Sequence, residues 1–281
     1  VLLTRENVAR LRALRPLTVE VSVFSLRPER HDAVTRAPGS LSRALRGLFR
    51  LARAGVPLVV KCPLLSVSGD DYGEVRALAE RLRASVVFDP HIFPRFDGSL
   101  APTRCRGDDA TLASYFADPV TQGYDRRGLA PVLPQQAPCG MARSFLTVSP
   151  EGELLPCPML QTSAGSIRRE RLDVLWREAP LLKRLRARRF GDLQGCGTCP
   201  RSGYCDRCSA IAWLEDGDLD GPSSRACHVA ELRERAWGLP APAGAPAPPP
   251  RRRPPPTPPR ASRRWPRAPR RPGRGAPRRG R

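Results

Sequence analysis

Hydrophobic and polar positions in the first hundred residues alternate between two periods. The stretch LTVEVSVFSL (17 to 26) opens with β-branched residues at every second position and predicts a strand. A 3.6-residue pattern follows, with Leu41, Leu45, Leu48 and Ala52 on one helical face, Ser40 placed as N-cap and Gly55 as the stop. The run VPLVVKCPLL (56 to 65) is almost continuously apolar, as in parallel strands buried on both faces. Val75, Leu78, Ala79 and Leu82 mark a second helix over 71 to 84, and SVVFDPHIFP (85 to 94) reads as a third strand. Strand, helix, strand, helix, strand with short connections predicts right-handed crossovers in one parallel sheet. Three strands cannot close a barrel, so the pattern fits a small open sheet or the last part of a larger α/β barrel. The chain opens at Val1 without a Met, which favours the second.

The pattern loosens after residue 95, leaving one helical patch at Leu112 to Phe116 and an expected linker over 101 to 138. SFLTV and ELLPC then predict two short strands around a Pro-Glu-Gly turn. Rising cysteine density marks a second domain over 139 to 237. From 238 to 281 the composition collapses to Pro, Arg, Ala and Gly, too poor in apolar residues to bury a core, and is expected to be disordered.

Charge changes the picture less than its size suggests. Of the formal +21, thirteen arginines and no acids lie from Leu239 onward, which leaves +8 for the first 238 residues. Lys61 and Lys183 are the only lysines among 48 basic residues, a bias that genome composition explains, so nucleic acid is not an expected partner. No apolar run approaches the roughly 18 residues of a membrane span, and no signal peptide opens the chain. A cytoplasmic, reducing setting is therefore expected, in which nine cysteines read as metal ligands rather than disulfides. The odd count would leave one thiol unpaired.

Seven of those cysteines carry the chemistry: Cys139, Cys157, Cys196, Cys199, Cys205, Cys208 and Cys227. A Cys-x-x-Cys pair lets two thiolates reach one metal centre, and CGTCPRSGYCDRC (196 to 208) has two such pairs. The hairpin brings Cys139 and Cys157 toward a shared site. Seven thiolates leave one four-ligand zinc site short unless a His such as His228 completes it, whereas an iron-sulfur cluster tolerates an open or non-cysteine position. Spacing alone admits both metals.

The pattern Cys139-x12-Gly152-x4-Cys157, then Cys196-x2-Cys199-x5-Cys205-x2-Cys208, then Cys227, resembles the seven-cysteine signature of the SPASM domain of radical SAM peptide maturases. GSIRRERLDVLW (165 to 176) and LEDGDLDGPSSRAC (214 to 227) resemble that domain's intervening segments, with Ser166 where the family has Asn. VEVSVFSLRPERHDAVTRAPGS (19 to 40) and DPHIFPRFDGS (89 to 99) resemble late strands of the radical SAM barrel and their exits. The resemblance implies an α/β fold: the C-terminal part of a partial (β/α)6 TIM-like barrel over 1 to 100, then a small Cys-rich iron-sulfur domain.

It also implies two auxiliary clusters of the 4Fe-4S type, one on Cys196, Cys199, Cys205 and Cys227, the other on Cys139, Cys157 and Cys208. The family commonly separates the fifth and sixth cysteines by three residues rather than two. In such enzymes a reduced cluster passes one electron to S-adenosyl-L-methionine (SAM), and the resulting radical takes hydrogen from a peptide or protein substrate. An electron donor is a further implied partner. Ser22 and Ser25, near a strand end, are the candidate SAM contacts. The Cys-x3-Cys-x2-Cys motif that holds the SAM-cleaving cluster occurs nowhere in the 281 residues, and its family position would lie upstream of Val1. Pro158, where sulfatase-maturing relatives have an acid, argues against that substrate. The competing classes are a zinc-stabilised module with a polyanion-binding basic tail, and a degenerate protein that keeps its clusters only as structure. Cys62 reads as buried packing, His31 and His91 as helix-entry and strand-end residues, and Arg201 and Arg207 either as groups that offset cluster charge or, the plainer reading, as solvent-facing.

Overall fold

The computed structural model describes residues 2–69, 71–121 and 132–238, all within the compact unit Val1–Ala247. The 238–281 segment, expected to be disordered, lies outside the described residues from 239 onward.

Helix α1 (Arg5–Leu14) precedes the predicted elements, its first turn capped by Thr4, whose Oγ1 accepts from the Asn7 N–H at 3.2 Å. Strands β1 (Val19–Ser22), β2 (Leu58–Pro63) and β3 (Ser85–Asp89) form one parallel sheet in the order β1-β2-β3. Val21 pairs with Val60 and Val60 with Val86, which sets the register. Between β1 and β2 run α2 (Pro28–Thr35) and α3 (Ser40–Arg53), and between β2 and β3 runs α4 (Tyr72–Arg81). The helices bury one face of the sheet: Val23, Leu58, Val60 and Cys62 pack against Leu41, Leu48, Leu51, Val75, Leu78 and Ala79.

Two local differences from the sequence pattern have physical causes. Gly39 rather than Ser40 is the N-cap of α3, and its end is capped from α2: the Asp32 carboxylate accepts from Gly39 and Leu41 N–H groups and from the Ser40 hydroxyl. The buried stripe of α3 runs Leu41, Ala44, Leu48 and Leu51, so Leu45 and Ala52 sit at its margin. Strand β2 is covered on one side only, because Lys61 points to the open face and reaches Glu20 at 2.5 Å.

Within the span expected as a linker, residues 101–121 and 132–138 are described, and the first of these carry a helix. Helix α5 (Asp109–Ala117) buries Leu112, Tyr115 and Phe116 against Val229, Ala230 and Trp237 of the last helix, with Leu64 and Tyr72 from the sheet region. Edge-to-face rings run Phe88, Tyr72, Tyr115, Phe116 and Trp237, at centroid separations of 5.3 to 6.3 Å. One apolar seam thus joins sheet and cysteine regions.

Beyond it lie the predicted hairpin, β4 (Thr147–Val148) antiparallel to β5 (Leu154–Leu155), then α6 (Leu172–Glu178), α7 (Pro180–Ala187), the single turn α8 (Ser209–Ile211) and α9 (Ser224–Trp237). Gly165 is required where the chain returns across β5, because a Cβ there would stand 2.4 Å from Leu175. Among the described residues no helix is long and apolar enough to cross a membrane.

Candidate metal centre

Each of the seven cysteines is placed by a tight local structure. The hairpin turn, closed by the Gly152 N–H to the Ser149 carbonyl with Gly152 at φ 87°, returns the chain so that the Ala142 N–H reaches the Pro156 carbonyl. Cys139 and Cys157 thereby approach each other. The Cys157 sulfur accepts the Met159 and Leu160 N–H groups, and the Cys208 sulfur accepts those of Ala210 and Ile211 at the entry of α8. In CGTC the Cys199 N–H closes on the Cys196 carbonyl at 3.0 Å, and Gly197 leaves room for the Gly191 carbonyl, which a Cβ would meet at 2.6 Å. Cys227 lies in the first turn of α9, capped by Ser223.

Several of the seven stand near enough to raise one another's pKa. Cys208 feels Cys157 and Cys139, and Cys157 feels Cys139. Cys227 feels Cys196 and Cys199, while Cys205 feels Cys227 and Cys196. Burial pushes the Cys205 thiol up to about 12, helped by the charges of Asp206 and Cys227, and burial with Cys196 and Cys199 pushes Cys227 to about 11. Bound as thiolates, these sulfurs need cationic metal to stay charged. All nine cysteines are free of disulfides.

The seven donors are all thiols, the ligand set shared by structural zinc and iron-sulfur sites. One tetrahedral zinc, with Zn–S near 2.3 Å, draws its sulfurs to roughly 3.8 Å apart. Among the described residues no three His, Cys, Asp or Glu side chains gather that closely around a single point. Cys62 belongs to neither set: burial first, then Asp71, pushes it to about 12. Cys105 is exposed, and His228 contacts Asp109 at 2.6 Å rather than completing either set.

Arg201 and Arg207, read from sequence as solvent-facing, are held inward. Arg207 donates to the Gly221 and Leu219 carbonyls and to the Ser209 hydroxyl, and its charge lowers the Cys196 thiol against the larger effect of burial. Arg201 pairs with Glu234 at 2.6 Å and feels Cys199. Positive groups beside sulfur ligands offset cluster charge. Of the candidate SAM contacts, Ser22 lies exposed beside Lys61 on the open sheet face. Ser25 is fully buried, donating to Asp71 at 2.6 Å and accepting from the Arg27 N–H.

A buried polar junction has no counterpart in the sequence reading. Arg106 pairs bidentately with Glu215 and donates to the Ile92 carbonyl. Arg225 donates to the Pro90 carbonyl, and burial together with the Arg106 charge brings its guanidinium down to about 10. The His91 Nε2 lies 2.9 Å from the Asp206 carboxylate. Burial opposes the Asp206 charge, yet His91 and Arg233 outweigh it and hold the carboxyl well below its usual range. An acid inside CDRC was the one visible signal.

The structure joins a three-stranded parallel α/β sheet through an apolar seam to a thiol-lined region. Residues 139–200 match the model of the SPASM family, an iron-sulfur cluster-binding domain. The chain is 26% identical over 252 residues to an AdoMet-dependent heme synthase of Methanosarcina barkeri, covering 77% of this chain and 69% of that one. It is 25% identical over 264 residues to a PqqA peptide cyclase of Methylocella silvestris, covering 85% and 68%. The fold is similar to the solved structure of histidine-tagged anSMEcpe with bound AdoMet, at TM-score 0.58 and 13% identity, over 84% of this chain and 68% of that one. The chain carries a match to the SPASM iron-sulfur cluster-binding domain and is similar over most of its length to AdoMet-dependent enzymes of the radical SAM/SPASM kind. It spans about two thirds of the length of these relatives.

Proposed function

We propose that this chain supplies the late barrel strands and the auxiliary iron-sulfur domain of an enzyme that modifies a peptide by SAM-dependent radical chemistry in the reducing cytoplasm. The observation that carries the reading is the match of residues 139–200 to an iron-sulfur cluster-binding domain, with seven thiols in and just beyond that span. Cys196, Cys199, Cys205 and Cys227 would hold one cluster, and Cys139, Cys157 and Cys208 a second with one non-cysteine position. A cluster bound there supplies one-electron transfer beside the substrate.

The chain's own residues fix the geometry for that transfer. Backbone N–H groups of Met159, Leu160, Ala210 and Ile211 stabilise charge on two sulfurs, and Arg207 does so at a third. The open sheet face, with Glu20, Ser22 and Lys61, offers polar groups where a barrel encloses its reactants, and Ser22 is the residue we assign to SAM contact. The similarity to a peptide cyclase supports a peptide substrate.

Anaerobic reconstitution with iron and sulfide, followed by metal analysis, tests the assignment. A brown protein with about seven to eight irons per chain and matching sulfide is expected. A colourless product retaining zinc overturns it.

A further inference from the structure

Leu146, just before β4, and Leu172 and Trp176 of α6 line an open groove of 640 Å³ on the cysteine region. Sites that take small ligands or a single anchoring side chain span roughly 300–1,000 Å³. Leu172 and Trp176 stand one helical turn apart and so share a face of α6. Leu172 is 51% exposed, whereas Trp176 packs partly into the apolar cluster beneath, so the groove has an anchored floor and an apolar rim. Arg171 and Asp173 complete the lining. Asp173 is held by Arg171 at 3.0 Å and by Arg177 at 2.8 Å, and the Arg186 guanidinium lies over the Trp176 ring at 5.1 Å. Three arginines thus meet one carboxylate. Residues 167–189 carry nine basic and three acidic side chains, a net +6, which is most of the +8 of the first 238 residues.

We propose that this groove docks an acidic segment of the peptide substrate, seating an apolar side chain against Leu172 and Trp176 while flanking carboxylates meet Arg171, Arg177 and Arg186. The inference rests on the peptide-substrate reading above and gives that peptide a chemistry. Exposed apolar surface inside a charged rim is the composition of a partner site. Burial of the apolar anchor supplies affinity, and the rim selects the sign of the partner and speeds its encounter. With Asp173 already paired, the arginine excess is left for the partner. The chain's own segment from Leu239 onward has thirteen arginines and no acids, and a second copy of the chain brings the same positive rim. Like charge disfavours both as occupants.

Fluorescence anisotropy of the full chain tests this with two labelled twelve-residue peptides, one a Leu-Leu pair flanked by Asp and Glu, the other the same peptide with Lys at every acid. The acidic peptide binds, and the basic one binds at least about tenfold more weakly. L172D, at an exposed position, weakens binding of the acidic peptide by about tenfold, and R171E weakens it by a smaller factor. If L172D does not fold, as far-UV circular dichroism would report, L172S carries the same test. Equal binding of the two peptides overturns the inference. So does acidic-peptide binding that L172D and R171E both leave unchanged, which would place it on the arginine-rich segment instead. Self-association of the parent that L172D abolishes also overturns it, by putting a second copy in the groove. Metal analysis of the same sample keeps the two readings apart: a colourless zinc-containing chain that still binds the acidic peptide through Leu172 defeats the radical reading and supports the groove.

Discussion

In the sheet region Val23, Leu48, Leu51, Val60 and Val75 are fully buried against one another, and three parallel strands close their hydrogen bonds through the backbone. Between residues 139 and 238 the strands have two residues each, and an apolar cluster lies under the hairpin, α6 and α7. The loop that carries Cys199 to Cys208 makes little use of that cluster. Its carbonyl partners are held largely by arginine, with Arg207 on Leu219 and Gly221 and Arg188 on Leu219. Apolar burial stabilises the first region by itself. The second closes around sulfurs whose burial disfavours their own charge, so bound metal supplies part of its folding free energy.

Loading the metal should therefore affect the two regions unequally, which is the largest effect expected. In hydrogen exchange of metal-free against reconstituted protein, amides of 193–208 gain more than about tenfold protection on loading, while those of β2 change by less than about twofold. Equal protection changes in both would erase the distinction.

A smaller effect belongs to the sheet region alone. His31 is buried, its Nδ1 accepting the Phe24 N–H, and burial lowers its pKa from 6.5 against the opposing pull of Asp32. The unfolded chain therefore takes up a proton near pH 6.5 that the folded chain refuses until lower pH. Stability is full above 6.5, declines as pH falls below it, and stops declining below the folded pKa. Chemical denaturation from pH 7.5 to 5 should show this slope in the parent and a flatter one in H31Q.

The sheet was legible because burial on one face leaves a period in the sequence. Helix α1 was not, since RENVARLRAL buries only Val8 fully. The two-sided burial expected of VPLVVKCPLL failed at Lys61, which faces the open side. The allocation of the thiols to two sets came only from family resemblance, because spacing by itself groups Cys205 with Cys208. Arg106, Arg225 and Arg233 were hidden by composition: in a chain with 48 basic residues, no single arginine stands out until burial singles it out.

The division of the thiols is tested most directly by EPR and iron analysis of reconstituted Cys208→Ser beside Cys227→Ser. Each variant should lose about half the iron, and the signal that survives in one should be the signal missing from the other. Loss of the same signal from both, or of all iron from either, would contradict two separate cradles.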